Sequence, residues 1–201
     1  MKRNALLHQL VTHENTFDFI VIGGGATGLG IALDAITRGA SVALFEQDDF
    51  TKGTSSRSTK LVHGGVRYLA QGDVSLVLEA LRERGLLRKN ASHLVKNQSF
   101  LIPCYRWWEG AFYTIGLILY DLMAANLGFG RSFCIGPKRA VKTIPMLRKK
   151  GMKAGVIYHD GQFDDSRLAI NIAQTAVDAG ACVLNYMKVT NLIKQEGKVC
   201  G

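Results

Sequence analysis

Residues 17–46 read FDFIVIGGGATGLGIALDAITRGASVALFE, and the fold class follows from the pattern of this stretch. The apolar run at 17–23 ends in glycines, which is typical of a buried parallel strand. Residues 26–39 follow with helical character and end at a glycine, and a second apolar run occupies 41–46. Because strand–helix–strand crossovers are right-handed, the two strands should lie parallel and adjacent. The sequence therefore predicts an α/β protein with a Rossmann-like βαβ dinucleotide fold.

The glycines of this unit fit the pattern GxGxxG through Gly23, Gly25 and Gly28. The first permits a tight turn, the second lets the backbone approach a pyrophosphate, and the third lets the helix pack closely on the strand. A pyrophosphate is then favoured at the helix N-terminus by free N–H groups and the macrodipole. Glu46 ends the second strand, where a carboxylate accepts hydrogen bonds from an adenosine ribose. The pattern predicts an adenine dinucleotide and leaves NAD and FAD as alternatives.

The remainder of the chain supplies further elements around this unit. Helices are predicted at 74–90, 110–126, 137–147 and 165–179, and strands at 98–102, 154–159, 181–187 and 189–193. Asp164 should cap the last helix, and Gly180 should end it. Asp160-Gly161 predicts a turn, and EGKV at 196–199 indicates a hairpin turn without a returning strand. The strand at 181–187 would be the third parallel strand, far beyond the second in sequence. The segment at about 70–160 is therefore predicted to be an insertion outside the nucleotide-binding fold.

Composition and charge limit the partners. The chain has 201 residues, of which 47% are hydrophobic and 20% charged, so it can form a packed core of one domain, or of one domain and part of another. Its net charge is +9, and eight basic residues with no acidic one lie between Arg131 and Lys153. That run is a solvated surface, a face for anionic lipid headgroups, or a field that attracts a phosphorylated substrate. No RNA-binding motif accompanies it, so no nucleic-acid partner is predicted.

The cysteines and the apolar segments bear on metal binding and location. Neither a CxxC motif nor histidine spacing accompanies the cysteines, so we predict no metal site and four buried thiols in a reducing compartment: Cys104, Cys134, Cys182 and Cys200. Residues 1–16 lack the apolar core of a signal peptide. The nearest transmembrane candidate, 111–127, contains Asp121. A cytoplasmic protein without a membrane span is therefore expected.

A second stretch, GTSSRSTKLVHGGVRYL at 53–69, carries more polar chemistry than a capped helix and a glycine turn need. Together with 17–46 and YHDGQFDDSRLAINIAQTAVDAGACVLNY at 158–186, it resembles the FAD-dependent glycerol-3-phosphate dehydrogenases of the glycine oxidase/D-amino-acid oxidase superfamily. The resemblance, and not the spacing, selects FAD over NAD. It implies an N-terminal extension at 1–16 and an FAD-binding domain at 17–201, truncated before the substrate domain is complete.

The resemblance also implies roles for individual residues. The glycine loop should hold the pyrophosphate, Glu46 the ribose, and the backbone at Val189 the adenine, while the second stretch follows the ribityl chain and isoalloxazine ring. His63 is implied as a flavin contact only, because members of this kind bind FAD without a covalent bond. The complete implied FAD set is Gly23, Gly25, Ala26, Thr27, Gly28, Glu46, Gln47, Thr54, Ser55, Ser56, Ser58, Thr59, Lys60, Leu61, Val62, His63, Gly64 and Val189.

The substrate side of the flavin is less completely represented. Arg67 and Tyr68 match family positions near the substrate, with a surface arginine and a packed tyrosine as the alternative. In the family, the catalytic base and most phosphate-binding arginines lie further along the chain. Little or no catalysis is therefore expected from these 201 residues alone.

By resemblance, the reaction oxidises sn-glycerol 3-phosphate at C2 to dihydroxyacetone phosphate. A base takes the hydroxyl proton as a hydride passes to the flavin, and the electrons reach a membrane quinone, or oxygen in oxidase relatives. Quinone-linked members work at the membrane surface, which suggests peripheral contact at the inner face of the cytoplasmic membrane. Trp107, Trp108 and 111–127 suit such a contact, with burial in the protein core as the alternative. Association into a homodimer is a further possibility. The alternatives are another FAD-dependent oxidase acting on an amino acid or 2-hydroxy acid, a non-catalytic dinucleotide-binding module, and an NAD(P)-dependent enzyme.

Overall fold

The computed structural model describes residues 2–12, 16–69 and 71–201, and only the backbone of Arg67. The helices are α1 Arg3–Thr12, α2 Ala26–Thr37, α3 Val66–Leu69, α4 Val74–Asn90, α5 Glu109–Ala124, α6 Pro137–Thr143 and α7 Asp165–Asp178. The strands are β1 Phe19–Ile22, β2 Val42–Phe45, β3 Leu61–Val62, β4 Lys96–Cys104, β5 Phe133–Ile135, β6 Ala154–Gln162, β7 Cys182–Leu184, β8 Lys194–Gln195 and β9 Lys198–Val199. Short 3₁₀ turns occupy Thr54–Ser56 and Ala125–Leu127.

The first of two compact units comprises residues 1–59 and 164–201 and contains a parallel sheet in the order β1–β2–β7. β1 and β2 pair from Phe19 opposite Val42, and β2 and β7 pair from Ala43 opposite Cys182. The predicted parallel pair and the third parallel strand are therefore confirmed. β7 is shorter than the predicted strand at 181–187.

Helices cover both faces of β2 and β7, whose successive residues point to opposite sides, whereas β1 is largely exposed. Val42 and Leu44 pack against buried alanines of α2 and α7 on one face. Ala43 and Cys182 pack against Leu6 of α1 on the other face. The Sγ of Cys182 also donates to the carbonyl oxygen of Leu6 at 3.5 Å. The N-terminal helix is thus a layer of the first unit.

The helix ends in this unit follow local sequence signals. Asp164 Oδ1 accepts a hydrogen bond from the amide of Arg167 at 2.9 Å, so the predicted cap of α7 is confirmed. Gly180 follows α7 at φ +106° and Gly39 follows α2 at φ +91°, a conformation that favours glycine. The start of α7 and the ends of both helices are therefore marked by local sequence signals.

The second unit comprises residues 60–163 and is an antiparallel sheet centred on β6. β4 pairs with β6 along its whole length, while β3 and β5 pair with shorter parts of β6. α4 and α5 pack together through Val77, Leu81, Tyr120 and Ala124. α4 spans the predicted residues 74–90. This sheet is separate from the parallel sheet and has its own core.

The predicted turn at Asp160-Gly161 is wrong. Both residues lie within β6, where Asp160 faces Gln98 and Gly161 faces Asn97 of β4. Pairing with β4, and with β3 at its end, supplies hydrogen bonds to this backbone. That tertiary pairing outweighs the local turn preference of an Asp-Gly pair.

Other boundaries also differ from the prediction. α6 ends at Thr143 because Pro145 disfavours helix at the residue before it. Residues 189–193 form no strand. The hairpin at the chain end does have a returning strand, since β8 and β9 pair through Glu196 and Gly197, both at positive φ.

The cysteines and the apolar helix also depart from expectation. Cys104 and Cys182 are buried, but Cys134 and Cys200 are exposed, because Cys134 lies on the short strand β5 and Cys200 follows the exposed hairpin. The segment Glu109–Leu127 is long and apolar enough to cross a membrane by length and composition, and 22% of its most apolar window is buried. Within the described ranges, no group of three His, Cys, Asp or Glu side chains is arranged to hold a metal ion.

Candidate cofactor-binding site

The turn from β1 into α2 requires glycine for close packing. A Cβ at Gly28 would fall far inside van der Waals contact with the carbonyl oxygen of Gly23, so the first turn of the helix lies directly on the strand end. A Cβ at Gly24 would lie 2.6 Å from Phe50 and 2.9 Å from the Cβ of Glu46. The GxGxxG reading assigned no role to Gly24, yet the structure leaves it no room for a side chain.

The N-terminus of α2 presents backbone donors. Gly25 precedes the helix in extended conformation and makes no side-chain cap hydrogen bond. The amide of Ala26 donates to the Oγ of Ser55 at 2.9 Å, which ties the 3₁₀ turn Thr54–Ser56 to the start of α2. Thr27 is exposed beside it. Such a helix start favours an anion.

Glu46 holds the loops around the glycine turn. Its Oε2 accepts from the amide of Gly24 at 2.7 Å, and its Oε1 accepts from the amide of Asp48 at 2.9 Å. Its backbone accepts from the amide of Met187 at 2.7 Å and donates to Leu184 at 2.9 Å. Each carboxylate oxygen retains a further lone pair for a ligand hydroxyl. Glu46 therefore braces the ends of β2 and β7 and can still accept hydrogen bonds.

A cleft of about 430 Å³ opens within the first unit beside these residues. Its lining includes Gly25, Glu46, Gln47, Thr54 and Ser55 from the predicted set. It also includes residues that the sequence reading did not assign, among them Thr51, Lys52 and Arg57. Lys52 pairs with Asp48 at 2.6 Å, and Arg57 is exposed. The positive charge of Arg57, with the N-terminus of α2, suits a diphosphate, whereas the charge of Lys52 is balanced by Asp48, which also lines the cleft.

Ser58 is fixed by a carboxylate that the sequence reading missed. Its Oγ donates to the Oδ2 of Asp165 at 2.8 Å, and its amide donates to the same oxygen at 3.2 Å. Asp165 is buried in the first turn of α7. Its only sequence signal is its place after the capping Asp164. Ser56 contacts Gly53 at 3.4 Å, and Thr59 is exposed.

The remaining predicted residues of the second stretch belong to the second unit. Leu61 and Val62 form β3, and the carbonyl oxygen of Lys60, at φ +58°, accepts from the amide of Phe163 at 3.0 Å. His63 is exposed, whereas Gly64 is buried. Tyr68 is exposed on α3, and the side chain of Arg67 lies outside the described residues. Val189 is half-buried after β7 in the first unit.

A buried polar cluster lies beneath Gly64. Tyr120 Oη accepts from the amide of Gly64 at 2.8 Å and from Arg84 Nη1 at 3.2 Å, and Arg84 also pairs with Asp160. The side chains of Arg84 and Asp160 are only 2% and 4% exposed. Burial raises the pKa of Tyr120. Burial also raises the pKa of Asp160, and the hydrogen bond and charge of Arg84 partly offset that rise. No sequence signal indicated this cluster, since a charged residue in an amphipathic helix is normally solvated.

The sequence profile of the DAO family, described as FAD dependent oxidoreductase, matches residues 18–201. The chain belongs to that family. FAD is its cofactor, and the resemblance that selected FAD over NAD is confirmed.

Several relatives of this chain are named glycerol-3-phosphate dehydrogenase. The mitochondrial glycerol-3-phosphate dehydrogenase of Homo sapiens is 47% identical over 204 residues, covering 95% of this chain and 28% of that protein. The Saccharomyces cerevisiae protein of the same name is 46% identical over 211 residues, covering 100% and 32%. The structure of glycerol-3-phosphate dehydrogenase from Bacillus halodurans complexed with FAD has a TM-score of 0.71 at 36% identity, covering 98% and 32%. The chain spans about a third of their length.

Proposed function

We propose that this chain is the FAD-binding part of a glycerol-3-phosphate dehydrogenase whose electrons pass to a quinone. The observation that carries the proposal is the identity of 47% over nearly the whole chain to an enzyme named for that activity. The resemblance of 53–69 to the family supports the same conclusion. The whole protein would oxidise the C2 alcohol of sn-glycerol 3-phosphate to the ketone of dihydroxyacetone phosphate.

The first unit fits the dinucleotide part of FAD. The start of α2, where Gly25 carries no side chain, and the cation Arg57 suit the pyrophosphate, and the carboxylate of Glu46 suits the ribose hydroxyls. We assign to the pyrophosphate and ribose the residues Gly23, Gly25, Ala26, Thr27, Gly28, Glu46 and Gln47. The adenine is assigned to the backbone at Val189.

The second stretch is assigned to the remainder of the cofactor. Its residues in the first unit are Thr54, Ser55, Ser56, Ser58 and Thr59, and those in the second unit are Lys60, Leu61, Val62, His63 and Gly64. Side-chain hydroxyls and backbone N–H groups suit the ribityl and pyrophosphate oxygens, because both can donate hydrogen bonds to oxygen. FAD, when bound, supplies the two-electron acceptor for the substrate.

Arg67 and Tyr68 are assigned to the substrate side. The exposed Tyr68 offers a hydroxyl to a ligand, and an arginine fork suits a phosphate dianion. The catalytic base is assigned to no residue of this chain. Substrate turnover is therefore expected only from a protein that also contains the remaining two thirds of the relatives' length.

Anaerobic addition of sn-glycerol 3-phosphate to the FAD-loaded chain and to the longer protein tests this assignment. We expect the longer protein to lose its yellow colour and the chain of 201 residues to keep it. Bleaching of the chain alone would mean that the base lies within it. Bleaching of the longer protein by an amino acid or 2-hydroxy acid, and not by glycerol phosphate, would favour the oxidase alternative. Electron transfer to quinone or to oxygen is then measured on the reduced protein.

A peripheral membrane contact is proposed for the exposed face of α5. Phe112, Ile115 and Leu122 are exposed there, and Trp107 at its start is 86% exposed. Arg106 lies 6.0 Å from the ring of Trp108, so cations and aromatic rings meet at this helix start. Aromatic and basic residues together suit an anionic lipid surface. The membrane face would also bring the flavoprotein to its quinone.

Vesicle flotation tests the membrane contact. The chain should float with vesicles containing phosphatidylserine and not with neutral ones, and Ile115→Ser with Leu122→Ser should reduce the bound fraction. A chain that binds neither vesicle type would contradict the proposal. The cytoplasmic location and the homodimer stay predictions, and the human and yeast relatives carry the word mitochondrial in their names.

A further inference from the structure

We infer that Tyr120, Arg84 and Asp160 are positioning residues for the FAD-binding segment 60–64, acting through the backbone amide of Gly64. This inference rests on the proposed function, because that function assigns residues 60–64 to the cofactor. All the contacts that carry it lie within the second unit. None of the three side chains belongs to the cofactor set of the sequence analysis.

The amide of Gly64 is held at close range. It donates to Tyr120 Oη at 2.8 Å in a buried position. A Cβ at this residue would overlap both Tyr120 Oη and the side chain of Leu81, so only glycine lets the backbone come this near. The adjoining residues Leu61 and Val62 are held by pairing with β6. Both ends of the short segment are therefore attached to the core of the unit.

The hydrogen bonds of Tyr120 have one consistent direction. Its oxygen accepts from Gly64 and from Arg84 Nη1, and a phenol oxygen has two lone pairs, so both are used. Its own proton is left for Asp160 Oδ2, 3.5 Å away. Arg84 Nη1 also donates to Asp160, which fixes the carboxylate. The charged pair thus keeps the phenol oxygen facing Gly64 as an acceptor.

Stability alone is a poor reason for burying this ion pair. Desolvation of two charges offsets most of their attraction, and apolar replacements of such pairs are often neutral or stabilising. Within the described residues, Arg84 Nε also has no hydrogen-bond partner although it is buried. Arg84 lies 5.4 Å from the ring of Tyr120 and 4.9 Å from that of Phe129, which restricts its position. The arrangement is explained by the backbone group that it holds.

Holding the amide of Gly64 also orients its neighbour. The described residues contain no cis peptide bond, so the carbonyl of His63 points opposite to the N–H of Gly64. That N–H faces the buried Tyr120, and the carbonyl oxygen of His63 therefore faces away from the cluster. His63 itself is exposed. Tyr120 thereby selects which backbone group of this peptide is available to a ligand.

Tyr120→Phe tests the inference, because it deletes the acceptor and keeps the ring. Tyr113→Phe is the matched control, since Tyr113 is half-buried on the same helix and packs against a different cluster, formed by Cys104, Leu117 and Val156. Three quantities are measured on the chain: the dissociation constant for FAD, the visible circular dichroism of bound flavin at saturation, and amide hydrogen exchange at 61–64 without FAD. The first two report on the cofactor and the third on the segment.

We expect Tyr120→Phe to bind FAD about tenfold more weakly, because a buried amide loses its acceptor. The visible dichroism should change and the protection of Gly64 should fall, while Tyr113→Phe behaves as wild type. If Tyr120→Phe does not fold, the double variant Arg84→Met with Asp160→Leu replaces it. That variant removes both charges together and frees the phenol to rotate, and it should change the dichroism in the same direction.

Two results would overturn the inference in distinguishable ways. If the wild-type chain takes up FAD and the folded variant binds it with the same affinity and dichroism, the cluster does not position the cofactor segment. If the wild-type chain takes up no FAD, the assignment of 60–64 to the cofactor fails, and the inference fails with it.

Discussion

The glycine loop of the first unit and the cluster beneath Gly64 in the second unit both hold backbone amides, but by different means. In the first, Gly24 and Ala26 donate to Glu46 and Ser55, partners that lie 22 and 29 residues along the chain. In the second, Gly64 and Arg84 reach Tyr120 and Asp160 across 56 and 76 residues. A motif of fixed spacing thus builds the first, and only the folded sheet and helices bring the second together.

The largest difference between the two regions should appear in stability. Arg84→Ala leaves the carboxylate of Asp160 buried without its partner, so we expect a loss of about 3–5 kcal/mol in the free energy of unfolding. Arg82→Ala, at an exposed position of the same helix, should change it by about 0.5 kcal/mol or less. Urea unfolding of both variants measures this. Equal effects at the two positions would contradict the account of the cluster.

Two glycines of α2, Gly28 and Gly30, test whether the glycine loop needs close packing. Gly28→Ala should cost about 1–3 kcal/mol and remove FAD binding, because its Cβ forces the helix away from Gly23. Gly30→Ala is the control, since a Cβ there would meet no atom within 4 Å beyond its chain neighbours and the backbone of its own helix, and it should be about 0.5–1 kcal/mol more stable than wild type. Thermal unfolding and FAD titration of both variants check this. An FAD-binding Gly28→Ala protein would argue against the close packing.

The difference between the glycine loop and the cluster beneath Gly64 explains which parts of the structure could be predicted from the sequence. The parallel strands β1, β2 and β7, the helices α2 and α7 and the glycine loop follow local patterns, so they could be predicted. Asp160 could not, because its Asp-Gly pair favours a turn, and only pairing with Gln98 and Asn97 of β4 keeps it in a strand. Arg84 and Asp165 were missed for a related reason. Their roles depend on Tyr120 and Ser58, which lie far away in sequence and show no spacing that marks them as partners.

Glu46→Gln tests how the loop is braced. The amide side chain replaces one of the two carboxylate oxygens by an NH2 group, which only donates, so the amide of either Gly24 or Asp48 loses its acceptor. We therefore expect about tenfold weaker FAD binding. Glu83→Gln, at an exposed position of α4, removes the same charge from the second unit and should leave FAD binding unchanged. Fluorescence titration with FAD measures both. A similar loss in the two variants would mean that overall charge, and not the brace, sets the affinity.

The smallest perturbation is chemical labelling of the thiols. Burial raises the pKa of Cys104 and of Cys182, so their reactive thiolate fraction at neutral pH is low, and it rises only as the pH rises. The exposed Cys134 and Cys200 should therefore react first with iodoacetamide, as read by mass spectrometry. In urea all four should react. Early labelling of Cys182 in the native chain would contradict the packing of α1 on the sheet.

Titration of the wild-type chain with FAD, in the presence and absence of excess NAD⁺, tests whether these residues hold FAD. We expect flavin absorption to change and to saturate at one FAD per chain, and NAD⁺ not to displace the bound FAD. A chain that leaves the flavin spectrum unchanged, or that releases FAD to NAD⁺, would contradict the claim that these residues hold FAD.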